Sequence, residues 1–241
     1  MPRGQTILIN SIAVIDQGTL NRNGTVYSGD FKSYQYHGQG QLSDVDGEMF
    51  EGTFAAGKRH GSGRLTGIRS TVKVSGKITA KTGTVNFGES SINGEWSDDK
   101  LVSGTAQSLL IDSSGKFGAN LNAVDTALGI YSGKLLKGLP HDDEASCQFA
   151  NGGSYTGSYK TGRRNGFGKI IYPNLDQYDG KWVANMRCGF GVWRSRKGET
   201  FEGLWENDKP HGLGVLTLVD GTVDEGMWIR GVREGQAERA Y

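Results

Sequence analysis

The chain has 241 residues, of which 39 are glycine and only 4 proline, and a formal net charge of +1. So balanced a charge excludes a polyanion binder acting through bulk charge, and glycine without a triplet period excludes a collagen-like chain. Two cysteines, Cys147 and Cys188, are too few for a disulfide framework and point to a reducing, cytoplasmic compartment.

Residues 1–26 carry Thr6-Ile7-Leu8-Ile9 and Ile12-Ala13-Val14-Ile15, β-branched runs that read as strands. They are expected to cap the first repeat, because an open array needs a terminal element over its exposed edge. The run from Ile7 to Ile15 is broken by Asn10 and Ser11; it is too short to span a bilayer and lacks a signal-peptide cleavage pattern.

Two copies of one pattern fill 27–66. Tyr27-Ser28-Gly29-Asp30-Phe31 is followed by His37-Gly38-Gln39-Gly40, and Phe50-Glu51-Gly52-Thr53-Phe54 by His60-Gly61-Ser62-Gly63, with lead glycines 23 residues apart. Residues 67–150 hold degenerate copies at uneven spacing: Ser75-Gly76, Ile92-Asn93-Gly94-Glu95-Trp96 and Tyr131-Ser132-Gly133. After Gly133, Asp142 and Glu144 stand where two glycines are expected. From 151 to 237 the pattern is regular, with lead glycines at 157, 180, 203 and 226, again 23 apart. Residues 238–241 form a polar tail. A fixed period in this range is the mark of a repeat architecture.

Within one copy the spacing predicts a β-hairpin. Tyr155, Gly157 and Tyr159 alternate with polar residues and share one face of a strand. The glycine between the rings leaves a slot for a neighbouring ring or backbone. Residues 161–165 form the expected turn; Gly166, Gly168 and Ile170 share a face of the second strand, and residues 173–176 turn into the next copy. Two strands per copy give about 10 Å per repeat. Nine or ten copies would make one twisted sheet, a rod on the order of 90 Å long rather than a globule.

The repeat also disposes of most candidate chemistry. His37, His60, His141 and His211 each lie eight residues after a lead glycine. They are therefore spread along the array, whereas zinc needs ligands converging at about 2 Å from one point. Gly83 to Gly88 starts like a phosphate loop, but Glu89 stands in place of the required lysine. Asp44-Val45-Asp46-Gly47 resembles part of a calcium loop with its glycine too early, and reads as a turn. No nucleophile elbow, Cys/His pair or paired carboxylates with evident roles is present, so no catalytic residue, metal or cofactor is assigned.

Tyr/Phe-x-Gly-x-Trp/Phe, a polar turn, then Gly-x-Gly resembles the MORN repeat, most clearly over 27–66 and 155–237. The resemblance implies an all-β fold: an elongated, twisted, single-layer antiparallel sheet of tandem β-hairpins. It also implies a non-enzymatic scaffold or adaptor of the kind found at membrane–cytoskeleton junctions and cilia.

Two surfaces are expected to carry such a role. Trp96, Trp182, Trp205 and Trp228 each follow a lead glycine by two residues, while Trp193 sits in a second strand. A single-layer sheet has no second layer over its concave face, so the rings Tyr155, Tyr159, Tyr178, Trp182, Phe201, Trp205 and Trp228 are expected to line a groove for a partner protein, with an amphipathic helix as the natural ligand. From Lys160 to Lys197 nine Lys/Arg face two Asp, a net of +7, whereas from Gly198 to Tyr241 four Lys/Arg face nine Asp/Glu, a net of −5. Arg163, Arg164, Arg187, Arg194, Arg196 and Lys197 are expected to dock an anionic surface, the alternative being a peripheral phospholipid-binding tether. The opposed charges also permit a homodimer. Nothing points to nucleic acid, because the overall charge is balanced and no nucleic-acid module appears.

Overall fold

The computed structural model describes residues 8–10, 16–68, 72–73, 90–111, 121–122 and 129–235. The chain divides into two compact units, one made of Met1–Asp112, Lys116–Asp125 and Tyr131–Leu139, the other of Ser113–Gly115, Thr126–Ile130 and Pro140–Tyr241. No helix occurs among the described residues. Apart from Val72–Lys73 and Leu121–Asn122, which pair in parallel, the strands in each unit are joined as hairpins into an antiparallel sheet that stays open, as the repeat predicts.

The first unit contains β1 (Leu8–Asn10), β2 (Asp16–Arg22), β3 (Thr25–Lys32), β4 (Gln35–Ser43), β5 (Met49–Ala55), β6 (Lys58–Thr66), β7 (Val72–Lys73), β8 (Ser91–Ser97), β9 (Lys100–Ile111) and β10 (Leu121–Asn122). In sequence, β11 (Gly129–Leu136) and β12 (Leu139–Pro140) lead into the second unit. That unit contains β13 (Asp142–Phe149), β14 (Ser154–Lys160), β15 (Arg163–Ile171), β16 (Gln177–Val183), β17 (Met186–Arg194), β18 (Thr200–Glu206), β19 (Lys209–Thr217), β20 (Val223–Ile229) and β21 (Val232–Arg233). At the N-terminus β1 pairs with β2, and β2 with β3. Of the expected capping runs, Thr6-Ile7 and residues 12–15 lie outside the described residues. The strand that covers β3 is instead the polar stretch Asp16–Arg22, with Gly18 opposite Gly29.

The hairpin turn is tighter than the sequence suggests. Lys160 pairs with Arg163, so the turn is Thr161-Gly162 alone, and both residues have positive φ (51° and 80°). This is the two-residue primed turn whose twist matches the flanking strands. Ala184-Asn185, Asn207-Asp208 and Arg230-Gly231 repeat it. The remaining residues of the expected 161–165 turn belong to β15: Arg163 and Arg164 pair in register, and Asn165 falls in a bulge between Arg164 and Gly168, opposite the step from Tyr159 to Gly157. At the other edge, a five-residue turn joins successive hairpins. Tyr172 N–H donates to the Asp176 carbonyl (2.8 Å) and Leu175 N–H to the Tyr172 carbonyl (2.9 Å). Residues 44–48 form the same turn: Asp44 Oδ1 accepts from the N–H groups of Asp46 and Glu48, so its carboxylate serves a turn.

The fourth position of these turns needs positive φ and is Gly47, Gly152, Gly198 or Gly221 elsewhere, but Leu175 (φ 71°) in one copy. A side chain in that conformation costs about 1 kcal/mol, and Leu175 is 58% exposed, so little burial offsets it. Leu175→Gly is therefore expected to raise the free energy of unfolding by roughly 1 kcal/mol, read as a higher midpoint in a urea titration.

Two glycines face each other in the regular copies: Gly157 and Gly168, Gly180 and Gly191, Gly203 and Gly214, with Gly29 and Gly40, Gly52 and Gly63 in the first unit. The ring two residues before the lead glycine folds over that pair. A Cβ on Gly191 would run into the Tyr178 ring, and one on Gly180 would lie 2.5 Å from Gly191 Cα and 2.6 Å from Tyr178 Oη. The slot predicted at the lead glycine thus exists and is filled by the copy's own ring. Gly180→Ala must push a backbone aside, not a flexible side chain. It is expected to cost about 3 kcal/mol, the upper range for overpacking, measured as loss of midpoint at constant slope in denaturant.

β6 pairs directly with β8, placing Gly63 opposite Gly94, and Gly94 then faces Gly104 across β8 and β9. The next copy of the ladder is thus led by Gly94. Ser75-Gly76, read as part of the pattern, lies outside the described residues. The copy at Tyr131 keeps the chemistry: this ring is 0% exposed and its hydroxyl donates to the Lys134 carbonyl (2.7 Å). In β13, Ala145 stands opposite Gly157 and is fully buried, so a small side chain does there what glycine does elsewhere.

Candidate functional site

The aromatic row is the core of the second unit. Tyr155, Tyr178 and Phe201 lie over their glycine pairs, and Trp182, Trp205 and Trp228 fall between them. Each ring meets the next edge-to-face at 5.1–5.6 Å: Tyr155 with Trp182, Tyr178 with Trp182 and Trp205, Phe201 with Trp205 and Trp228. This is the geometry that aromatic quadrupoles favour. Tyr155 and Tyr178 donate to the carbonyls of Ser158 (3.0 Å) and Lys181 (3.1 Å); Trp182 and Trp205 donate to those of Gly168 (2.9 Å) and Gly191 (3.2 Å).

All seven rings expected to line an open groove, Tyr155, Tyr159, Tyr178, Trp182, Phe201, Trp205 and Trp228, are 0–5% exposed. They pack on one another and on the glycine ribs, so the row needs no second layer to cover it. A surface is present beside them. A groove of about 880 Å³ in this unit is lined by Tyr172, Trp193, Leu216, Pro210 and Arg187 among others, and Phe201, Trp205 and Trp228 form part of its wall. Tyr155, Tyr159, Tyr178 and Trp182 do not reach it.

The six basic residues do not form one patch. Arg164 and Arg187 are internal fittings. The Arg187 guanidinium sits 4.3 Å from the Trp205 ring centroid and 5.6 Å from that of Tyr178. Its backbone N–H and Nε both donate to Asp208 Oδ1 (2.8 and 3.2 Å), and Nη2 donates to the Asp208 carbonyl (2.6 Å). Asp208 N–H donates back to the Arg187 carbonyl (3.1 Å). Arg164 makes the same arrangement with Trp182, Tyr155 and Asn185, and Arg59 makes it in the first unit with Trp96, Phe50 and Asp99. Each such arginine lies seven residues after a lead glycine (Gly52, Gly157, Gly180) and staples one hairpin turn to the next.

Arg163, also exposed, is at the hairpin-turn edge of its strand. Arg194, Arg196 and Lys197 are exposed at the opposite edge, beside the turn 195–199. A nine-residue strand such as β15 spans roughly 30 Å, so the two groups cannot meet one headgroup.

Cation–π contact and the charged hydrogen bonds together make the arginine staple worth about 2 kcal/mol. Arg187→Ala is expected to lose about that much in a urea titration. Arg187→Lys should recover little of it, because lysine lacks the planar fork that stacks and bonds at once.

In the copy led by Gly203 the seventh position is Pro210, so no arginine from that position stacks on Trp228. Among the described residues the indole N–H groups of Trp228 and of Trp96 are buried without an acceptor, unlike those of Trp182 and Trp205. The groove opens at this departure from the repeat. Among the described residues no group of three or more His, Cys, Asp or Glu could hold a metal ion.

The sequence reading missed two features. The arginine staple was legible as a fixed offset from the lead glycines, the same kind of signal that placed the histidines. The other is the middle residue of each Gly-x-Gly: Phe167, Phe190 and Leu213 are 70%, 55% and 64% exposed on the sheet face opposite the aromatic row.

A family model described as "MORN repeat" matches residues 27–49, 50–68, 155–177, 178–200, 201–223 and 225–241. No curated protein matches the sequence. Among solved structures, the fold is similar to the SAS-4 (dCPAP) TCP domain of Drosophila melanogaster, solved in complex with a proline-rich motif of Ana2 (dSTIL). The two are 11% identical, with 79% of this chain and 85% of that chain covered at a TM-score of 0.32.

Proposed function

This chain belongs to the MORN-repeat family, and from that premise we propose that it is a non-enzymatic scaffold that holds a partner protein in the groove of its second unit. MORN repeats are commonly protein- and membrane-binding modules. The observation that carries the reading is the groove itself. At about 880 Å³ it is large enough for several anchoring side chains, and its lining pairs apolar surface (Tyr172, Trp193, Pro210) with charge of both signs (Arg187, Asp208, Lys209, Arg230). An amphipathic helix suits such a lining: apolar side chains enter the groove and polar ones meet its rims. Two free cysteines accord with a cytoplasmic setting.

Binding energy in such a contact concentrates in a few aromatic anchors. Tyr172 and Trp193 are half-buried in the groove wall and lie outside the ring-on-ring core, so they can be changed without removing the ladder. The test is a quantitative pull-down with the full chain and with Tyr172→Ser/Trp193→Gln, each checked for an intact thermal transition. Loss of a discrete protein partner in the folded double variant supports the groove. Retention of every partner contradicts it. Salt-sensitive sedimentation with anionic vesicles, abolished by Arg194→Glu/Arg196→Glu/Lys197→Glu, would replace this reading with the lipid tether.

A further inference from the structure

The face opposite the aromatic row carries an apolar stripe in the second unit. Phe167 on β15 stands across from Lys181 on β16, Phe190 on β17 across from Leu204 on β18, and Leu213 on β19 across from Met227 on β20. Five of the six are apolar, and their exposures are 70%, 55%, 42%, 64% and 41% for Phe167, Phe190, Leu204, Leu213 and Met227. Equivalent cross-strand pairs in the first unit are polar: Gln39 with Thr53, joined by a 3.0 Å hydrogen bond, and Ser62 with Glu95. The stripe is thus a property of these copies and not a requirement of the hairpin.

Beside it runs a second row on the same face, two residues along each strand. It consists of Lys169 and Asp179, Val192 and Glu202, and Val215 and Glu225, again cross-strand pairs. Asp179, Glu202 and Glu225 are exposed, one per copy, each just before the lead glycine. Apolar stripe and carboxylate rib therefore run side by side across six strands, over about 24 Å.

We propose that this outer face is a second docking surface, and that its occupant is a partner helix with an apolar seam and a row of lysines or arginines along one edge. The dimensions match. One hairpin advances the sheet by about 10 Å, and seven residues of α-helix rise about 10.5 Å. A heptad-patterned helix of about 16 residues therefore places one apolar anchor over each of Phe167, Phe190/Leu204 and Leu213/Met227, and one basic residue over each carboxylate. The carboxylates decide the sign of the partner and disfavour an anionic membrane on this face.

The test uses the full chain and two designed heptad peptides of equal helicity, with leucine at the seam and either lysine or glutamate at every seventh flanking position. Binding is read by fluorescence anisotropy. Three exposed charge pairs, each changing affinity roughly twofold, predict that the lysine peptide binds about 10-fold more tightly than the glutamate peptide at low salt. Asp179→Lys/Glu202→Lys/Glu225→Lys is expected to reverse that order. Phe190→Ser/Leu213→Ser is expected to weaken the lysine peptide at least 10-fold with an unchanged melting transition, since both side chains are largely exposed. The groove variant Tyr172→Ser/Trp193→Gln should bind the lysine peptide as wild type does, which separates this surface from the groove. No binding of the lysine peptide, or the same peptide preference after charge reversal, overturns the proposal. So does a wild-type dimer in sedimentation equilibrium that Phe190→Ser/Leu213→Ser dissociates, because the stripe would then be a self-interface.

Discussion

Above pH 10 the fold is expected to come apart while the tyrosines of the aromatic row ionise. Tyr27 is raised from 10.0 to about 12, first by burial and then by the neighbouring Asp30 carboxylate. Tyr155, Tyr159 and Tyr178 are raised further, in each case chiefly by burial; Arg164 opposes this at Tyr155 and Tyr159, and Arg187 at Tyr178. A raised folded pKa means that the native state holds its phenolic protons more tightly than the unfolded chain. The stability this supplies is complete below the unfolded value of 10.0 and is lost as pH climbs from there through the folded values. Each buried tyrosine removes about 1.4 kcal/mol per pH unit over its own window. Because three such rings share the second unit, their losses add as pH climbs. The tyrosinate absorbance of the buried rings, read as the difference between the full chain and Tyr155→Phe/Tyr178→Phe, should therefore rise as the β-sheet circular dichroism signal is lost. Ionisation of Tyr155 and Tyr178 near pH 10 with the sheet intact would show that these hydroxyls are not buried.

Trp182→Ala is expected to cost about 4 kcal/mol, and to act as a folding variant before it acts on any partner. The indole is 1% exposed, packs against Tyr155 and Tyr178, lies 4.4 Å from the Arg164 guanidinium and donates to the Gly168 carbonyl. Removing it leaves a cavity between two copies, and in a repeat array each copy is stabilised mainly by its neighbours. Unfolding should therefore begin at 155–206. Hydrogen exchange read by mass spectrometry would show faster exchange in β14 to β18, with β3 to β6 unchanged. A loss under 1 kcal/mol would mean that the ring row is not the core of this unit.

The two results bear on what a sequence of this kind discloses. Phase was legible: the lead glycines, the rings two residues either side of them and the hairpin order follow from the 23-residue period. Exposure was not. Whether Trp182 faces solvent depends on Tyr155, Tyr178 and Arg164 closing over it, and those contacts cross strands. Charge misled for a related reason. Arg164 and Arg187 count toward a basic segment, yet each is paired across the turn and stacked on a ring. Arg163, next in sequence to Arg164, points the other way because strand residues alternate. The departures from the repeat were visible as letters without their meaning. Pro210 in place of arginine marks the groove, and Phe190 and Leu213 in place of polar residues mark the outer stripe.

The claim that this family member acts by holding a partner protein is tested most directly by placing a photo-crosslinking residue at position 173, on the exposed rim of the groove, and irradiating the full chain in its native cells. A discrete protein adduct is predicted, one that disappears when Tyr172→Ser/Trp193→Gln is added to a chain that still folds. Adducts to lipid alone, or a protein adduct indifferent to the groove variant, would contradict the account.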